Sequence, residues 1–129
     1  MKILNKEIDF DFFDAKQMEV YEKESQIASY KITKVIENIQ NLKQSEMINQ
    51  TFDIIENCFN NIFGENISKE LFGGKRNLKL CFQAFKDLIA ARKEQEDEIN
   101  KEAEELNKEL KAIGVEYKPN RTTRRRGKK

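Results

Sequence analysis

The sequence predicts a mainly α-helical protein with a short N-terminal β-hairpin, three to four helices, a long last helix and a basic, flexible tail. The chain has one proline and five glycines in 129 residues, so long helices can form without interruption. Apolar residues recur at spacings of three and four over most of the chain, which is the helical period. Hydrophobic residues make up 38% and charged residues 36%, which favours one domain with a modest core.

The N-terminal segment predicts a small hairpin that leads into the first helix. Lys2–Phe10 alternates weakly between apolar and polar residues, with a candidate turn at Asn5-Lys6. Asp14 is a typical N-cap residue, and Gln17, three positions later, is its expected capping-box partner. We therefore expect the first helix at about Ala15–Leu42, where apolar residues follow the helical period.

Two further helices are expected in the middle of the chain. Ser45 is the candidate cap of a second helix at about Glu46–Phe63, and Asn66 or Ser68 is the candidate start of a short third helix. A Phe-Gly pair stands at the end of each helix, and glycine readily adopts the left-handed conformation that commonly ends a helix. These glycines are interpreted as structural corners at Gly64, Gly73 and Gly74.

The last helix is expected at about Leu78–Ile113, with Asn77 as its cap and Gly114 as its stop. It carries a heptad pattern whose members are Leu78, Phe82, Phe85, Ile89, Arg92, Glu96, Ile99, Ala103, Leu106, Leu110 and Ile113. Such a helix would be about 54 Å long, so only its aromatic first half is expected to join the core. The second half is expected to project, or to pack against a partner through Ile99, Leu106 and Leu110. A solvated helix that leans on its own body is the alternative.

The predicted organisation is a helical body at residues 1–92 with its hairpin at 1–12, a projecting charged helix half at 93–113 of the same domain, and a basic flexible tail at 114–129. Lys118–Lys129 contains seven basic and no acidic residues, so the preceding residues hold 17 basic residues against all 23 acidic ones, a net charge of −6. Three interpretations of the tail stay open: a solubilising extension, a grip on nucleic-acid phosphates, or a contact with an acidic protein surface. Nucleic acid is less favoured because Tyr117 is the tail's one aromatic residue.

Gly74-Lys75 raises the question of a phosphate-binding loop. A P-loop requires a hydroxyl residue after its Gly-Lys pair and a glycine five positions before that pair. Here Arg76 follows the pair and Lys69 stands at the earlier position. The pair is therefore interpreted as part of a helix corner.

The sequence predicts no catalytic, metal or cofactor site. It has no histidine, which removes the usual general base and the commonest zinc ligand. The acidic segment Asp9–Asp14 lacks the glycine and the closing glutamate that a calcium EF-hand loop needs. Cys58 and Cys81 lie on apolar stripes without metal-ligand spacing and are expected to be reduced core residues. No apolar run approaches the roughly 18 residues of a membrane helix, so we expect neither an enzyme nor a membrane protein.

Several short blocks carry a family resemblance. They are the ILNKEIDFDFFDA start, the corners NIFGE and LFGGK, the aromatic last helix and the closing YKPNRTTRRR. The closing block is the most specific, with Tyr117, Pro119, Asn120, Arg121, Arg124 and Arg125. Together these blocks resemble the small helical tail assembly chaperones of bacteriophages and prophages that infect Gram-positive bacteria.

The resemblance implies a non-enzymatic role in viral tail assembly. Such a chaperone binds the tape-measure protein and recruits tail-tube subunits while the tail polymerises in the host bacterial cytoplasm, and it is absent from the mature virion. The candidate partner-binding residues are Ile99, Leu106, Leu110, Arg121, Arg124 and Arg125, and a homo-oligomer is an open alternative. Two other functions remain: a small helical nucleic-acid-binding protein that acts through its basic tail, and a coiled-coil oligomerisation module.

Overall fold

The protein is mainly helical, with a two-stranded hairpin at its N-terminus, as the sequence predicts. The computed structural model describes residues 1–114. Its elements are β1 (Lys2–Ile3), β2 (Lys6–Glu7), α1 (Ala15–Glu37), a 3₁₀ turn (Ile39–Asn41), α2 (Gln44–Phe63), α3 (Ile67–Phe72) and α4 (Leu78–Ala112). The chain divides into two compact units, Met1–Gln95 and a second unit that begins at Glu96 within α4. The boundary lies three residues after the one predicted from the sequence.

The hairpin turns one residue earlier than predicted. Its antiparallel strands pair Lys2 with Glu7 and Ile3 with Lys6, so the turn residues are Leu4 and Asn5, with φ of 51° and 66°. Two consecutive positive φ angles produce a tight turn whose twist matches that of the flanking strands. This register buries Ile3 completely, which the predicted turn at Asn5-Lys6 does not explain.

The first helix begins as predicted but ends earlier. The N–H of Gln17 donates to Asp14 Oδ2 at 3.0 Å, which confirms the cap. The expected return bond is wrong, because Gln17 Oε1 accepts from the N–H of Asp11 at 3.0 Å instead. The helix ends at Glu37 rather than near Leu42. Asn38 follows it, and its side chain accepts a hydrogen bond from Asn41 Nδ2, a local contact that competes with continued helix.

The second helix does not use its predicted cap. It begins at Gln44, so Ser45 lies inside the first turn. Glu46 Oε1 accepts from the N–H of Lys43 at 2.8 Å, which satisfies a backbone donor at the helix start and fixes that start one residue before Ser45.

Glycines end three helices, and the positive φ predicted at Gly64 and Gly73 is confirmed. Gly73 is left-handed, with φ 57° and ψ 32°. Gly64 differs from the prediction because its φ of 112° and ψ of 159° lie in a region open almost only to glycine, rather than in the left-handed helical region. Gly114, at φ 80°, follows α4, whose N-terminal cap is confirmed by a 3.0 Å bond from the N–H of Leu80 to Asn77 Oδ1.

The core lies in the first unit and joins the hairpin segment to all four helices. Phe10 and Phe12 pack edge-on, with ring centroids 4.7 Å apart, and the ring of Phe12 lies 5.1 Å from that of Tyr21. The buried Tyr21 hydroxyl donates to the carbonyl of Leu88 at 3.2 Å. This bond connects α1 to α4 inside the core and satisfies a polar group that burial would otherwise penalise.

The face of α4 that enters the core is not the predicted heptad stripe. Its buried residues are Cys81, Ala84, Leu88 and Ala91. From the predicted stripe, Leu78, Phe82 and Phe85 are only partly buried, and Ile89 is exposed. Cys81, Ala84 and Leu88 are completely buried, so the core side of α4 carries smaller side chains than the predicted stripe does.

The two cysteines are free and buried, so the prediction that both are core residues is confirmed. Burial raises the pKa of the Cys58 thiol to about 12 and that of the Cys81 thiol to about 11. Thiols with such pKa values carry little thiolate at neutral pH and are poor nucleophiles.

Candidate interaction surfaces

The corner after α3 uses its basic residue for internal contacts. Arg76 Nε donates to Asn49 Oδ1 at 2.8 Å, its Nη2 lies 2.5 Å from Asp53 Oδ1, and its guanidinium lies 4.6 Å from the centre of the Phe52 ring. The loop that contains Gly73 and Gly74 is thereby held against α2. In this arrangement the arginine has a structural role that needs no phosphate.

Arg92 also belongs to the first unit rather than to an exposed seam. Its guanidinium lies 5.6 Å from the centre of the Tyr21 ring, and its Nη2 lies 3.5 Å from Glu22 Oε2. In the heptad pattern, Arg92 is a polar residue that interrupts the seam between the two halves of the helix. The structure instead places it over the aromatic core, where its positive charge interacts favourably with the ring face.

The second unit carries an exposed apolar stripe on one side of α4. The stripe consists of Ile99, Ala103, Leu106, Leu110 and Ile113, spaced three and four residues apart. Leu106 is 57% exposed and Ile113 is 72% exposed, and Leu110 is also exposed. Every described residue from 100 onward is exposed, whereas Ile99 is intermediate. We call these five residues the apolar stripe.

Acidic residues flank the apolar stripe on one edge. In an α-helix each residue advances by about 100°, so side chains three or four positions apart share a face. That geometry places Glu102 and Glu109 beside Leu106, with the neighbouring positions continuing the same edge. The complete edge is Glu98, Glu102, Glu105 and Glu109, which we call the glutamate edge. None of these four side chains forms a salt bridge within residues 1–114.

A second apolar line, on the exposed side of α1, was missed by the sequence reasoning. Val20 and Ile27 are seven residues apart and are 40% and 39% exposed, and exposed Phe13 precedes them by another seven. The same side of the helix carries four lysines, Lys16, Lys23, Lys31 and Lys34, together with the half-buried Glu24. Lys34 forms a 3.6 Å salt bridge with Glu37. We call Val20, Ile27 and these four lysines the lysine face. Its signal in the sequence is the seven-residue spacing of Phe13, Val20 and Ile27. Periodicity alone does not distinguish an exposed apolar line from one that faces the core.

A shallow groove runs beside the lysine face, between α1 and α2. Its volume is about 340 Å³, and its floor includes Ile27, Ala28, Ile54 and Cys58. The α1 side carries Lys23 and Lys31 with Glu24 between them. The α2 side is polar, with Asp53, Asn57 and Asn61. The groove therefore offers an apolar floor between charged and amide side chains, which suits the side of a helix rather than a small rigid ligand.

The remaining sequence-predicted binding residues, Arg121, Arg124 and Arg125, lie outside the described residues. Within residues 1–114, no group of three His, Cys, Asp or Glu side chains is arranged to hold a metal ion. No helix in this part of the chain is long and apolar enough to cross a membrane.

The chain belongs to a protein family described as a family of unknown function, DUF6673, whose sequence pattern matches residues 4–129. The match includes strand β2, all four helices and the basic segment after Gly114, whereas strand β1 lies outside it. Neither the curated proteins nor the solved structures include a match to this chain.

Proposed function

We propose that the protein is a tail assembly chaperone of a bacteriophage or prophage, which binds the tape-measure protein and recruits tail-tube subunits without performing a chemical reaction. The resemblance in the start, corner and closing blocks supports this proposal. All these blocks lie inside the family match at 4–129, except Ile3, the first residue of the start block. The matched range therefore includes the positions of the basic closing segment.

The observation that carries the proposal is the apolar stripe. Leu106, Leu110 and Ile113 are exposed in the second unit, where burial against another surface would gain roughly 25 cal/mol for each Å² of apolar area removed from water. A stripe of this width is the usual binding element of a helix that packs against another helix. Ile99, Leu106 and Leu110 are thus the proposed contacts to the tape-measure protein, with Arg121, Arg124 and Arg125 as a second, electrostatic contact.

Co-expression tests the proposal directly. The full chain is produced together with the tape-measure protein encoded in the same genome, and a soluble complex is expected on co-purification through a tag on either protein. The tape-measure protein alone is expected to be less soluble, because the chaperone proposed to bind it is missing. If the two proteins do not associate and the tape-measure protein is equally soluble without the chaperone, the proposal is wrong.

A matched pair of double variants assigns the contact. Leu106→Glu with Leu110→Glu is expected to weaken the complex at least tenfold while the helix content stays unchanged, because both side chains are exposed. Lys101→Glu with Lys108→Glu changes charge on the opposite side of the same helix and is expected to have a much smaller effect. Equal losses in both variants would assign the binding to charge rather than to the stripe.

Nucleic-acid binding through the basic tail is the competing function. It predicts salt-sensitive binding of random duplex DNA or RNA that weakens by orders of magnitude between about 50 and 200 mM salt. Arg121→Ala, Arg124→Ala and Arg125→Ala together would abolish that binding. We expect weak binding only, because the rest of the chain carries a net charge of −6 that repels phosphates.

A further inference from the structure

Two exposed surfaces of this chain are complementary to each other in both charge and apolar pattern. The apolar stripe has the glutamate edge beside it, and the lysine face has two apolar residues among its four lysines. We infer that a second copy of the chain binds here: the apolar stripe of one copy docks on the lysine face and the adjoining α1–α2 groove of another. This inference does not rest on the chaperone function, which concerns a different partner.

The spacing of the two surfaces agrees. On α1, Val20 and Ile27 are seven residues apart, as are Lys16 and Lys23. On α4, the residues Ile99, Leu106 and Ile113 repeat at the same interval. Seven residues advance a helix by about 10.5 Å, so one register brings successive apolar residues and successive charges into contact together, as in paired helices.

The surfaces also agree in length and shape. Residues 20–34 on α1 and residues 99–113 on α4 each span about 21 Å of helix at 1.5 Å per residue. The groove of about 340 Å³ beside Ile27 has an apolar floor that includes Ile54. A leucine or isoleucine side chain from the stripe fits such a recess, while the glutamate edge reaches Lys23 and Lys31 at its rim.

Pairing of two apolar stripes with each other is less favourable. In an antiparallel pair of stripes, the glutamates beside Leu106 would face the same glutamates of the other helix, and like charges repel. In a parallel pair, Glu96 would face Glu96 of the other helix on the line of the seam, where burying two carboxylates without counter-charges is costly. The lysine face supplies the opposite charges that a second stripe lacks.

A contact between two different surfaces has a structural consequence. Each copy has one stripe and one lysine face. An open dimer therefore leaves one stripe and one lysine face unoccupied, and only a closed ring occupies all of them. Such heterologous contacts generate rings or open chains rather than closed twofold dimers. The isolated protein is therefore expected to form species larger than a dimer as its concentration rises, and to dissociate at high salt, where surface charges are screened.

Charge reversal provides the test, measured by sedimentation velocity of the isolated full-length protein. Lys23→Glu with Lys31→Glu is expected to weaken association at least tenfold, and Glu102→Lys with Glu109→Lys is expected to do the same. An equal mixture of the two variants is expected to restore association. The face of α1 made acidic in one variant then meets the edge of α4 made basic in the other, and the two unaltered surfaces also carry opposite charges. Lys101→Glu with Lys108→Glu is the matched control, and is expected to associate like the unmodified chain. All these side chains are exposed, and circular dichroism checks that each variant keeps its helices.

A second mixture tests the head-to-tail arrangement. Leu106→Glu with Leu110→Glu leaves only the lysine face functional, and Lys23→Glu with Lys31→Glu leaves only the stripe. Each variant alone is expected to be monomeric, whereas the mixture is expected to stop at a one-to-one dimer.

Three results would overturn the inference. They are an unmodified protein that stays monomeric at all concentrations, a lysine-face variant that associates as well as the unmodified chain, and charge-reversed variants that fail to associate when mixed. The second result, combined with loss of association in Leu106→Glu with Leu110→Glu, would show that two stripes pair with each other. None of the three decides whether the tape-measure protein binds, which is measured separately by co-purification. If both proposals hold, the tape-measure protein competes with the second copy for the stripe and dissolves the larger species.

Discussion

The backbone N–H of Leu4 donates a 2.9 Å hydrogen bond to Asp87 Oδ2, across 83 residues of sequence. Leu4 is the turn residue with φ of 51°, a conformation that costs a non-glycine residue about 1–2 kcal/mol. The same carboxylate accepts a hydrogen bond from Gln83 Nε2 through its other oxygen at 2.9 Å. One aspartate on α4 therefore holds a strained turn of the hairpin in place.

Replacement of Asp87 by alanine is expected to destabilise the protein by about 1–3 kcal/mol, because it leaves the part-buried N–H of Leu4 without its acceptor. Urea unfolding followed by circular dichroism measures the change. Gln83→Ala removes the exposed contact to the same carboxylate and serves as the control, with an expected change below about 0.5 kcal/mol. Equal changes in the two variants would show that the hairpin anchor contributes nothing beyond the surface contact.

Gly73→Val is expected to lower stability because valine resists the left-handed conformation, by about 1–2 kcal/mol from backbone strain alone. The space around the missing β-carbon is open, so the loss comes from the backbone angle rather than from a collision. Gly73→Asn should therefore lose less than Gly73→Val, since asparagine tolerates this conformation better. Thermal unfolding of the three proteins checks the order, and equal melting temperatures would contradict it.

Arg76→Ala is expected to destabilise the corner by about 1 kcal/mol, since it removes a partly exposed ion pair, two hydrogen bonds and a ring contact. Lys75→Ala changes the neighbouring exposed lysine and is the control, with little expected effect. The same experiment tests the corner interpretation of Gly74-Lys75. Millimolar phosphate should leave the melting temperature of the unmodified protein unchanged, whereas a specific phosphate site would raise it by mass action.

The free energy of unfolding is expected to fall in alkaline solution, because the buried hydroxyl of Tyr21 and the buried thiol of Cys58 keep their protons in the folded state. Burial raises the pKa of Tyr21 from 10.0 to about 12, against the opposing effect of the Arg92 charge, and raises the pKa of Cys58 from 9.0 to about 12. The folded state therefore holds these protons at pH values where the unfolded chain has released them. The stability that they contribute is complete below about pH 9 and is lost as the pH rises toward 12.

Melting temperatures measured between pH 8 and pH 12 check this dependence, and ultraviolet absorbance follows tyrosinate formation. Tyr21→Phe is expected to remove the late tyrosinate step and to make the alkaline loss of stability shallower. Tyr30→Phe, at an exposed position, is expected to preserve the late step. A late step that survives Tyr21→Phe would assign the raised pKa to another residue.

The helix boundaries that depend on local chemistry were largely predictable. Asp14 and Asn77 cap their helices, and Gly73 and Gly114 end theirs, because caps and left-handed glycines act within four residues of the sequence. The failures involve choices among nearby alternatives. The hydroxyl of Ser45 predicts a cap at that residue. The helix instead begins at Gln44, where the side chain of Glu46 accepts a hydrogen bond from the backbone N–H of Lys43.

The side of α4 that enters the core was not predictable from periodicity alone. The heptad pattern follows the largest apolar residues. The residues that the core buries are instead Cys81, Ala84, Leu88 and Ala91, because Tyr21 and the phenylalanines already occupy most of the space there. Packing of this kind depends on volumes contributed by distant segments. The lysine face was not predicted for a related reason. The exposure of Val20 and Ile27 depends on which side of α1 packs against the core, and periodicity alone does not give that side.

The bond from the Tyr21 hydroxyl to the Leu88 carbonyl joins groups 67 residues apart, and this separation has a consequence for synthesis on the ribosome. At about 5–20 residues per second, translation takes roughly 3–13 s to proceed from one partner to the other. During that interval Phe10, Phe12 and Tyr21 have already been made but lack α4, the element that closes their side of the core. The aromatic segment is thus made before its partners on α4, which exposes the nascent chain to aggregation until α4 has been synthesised.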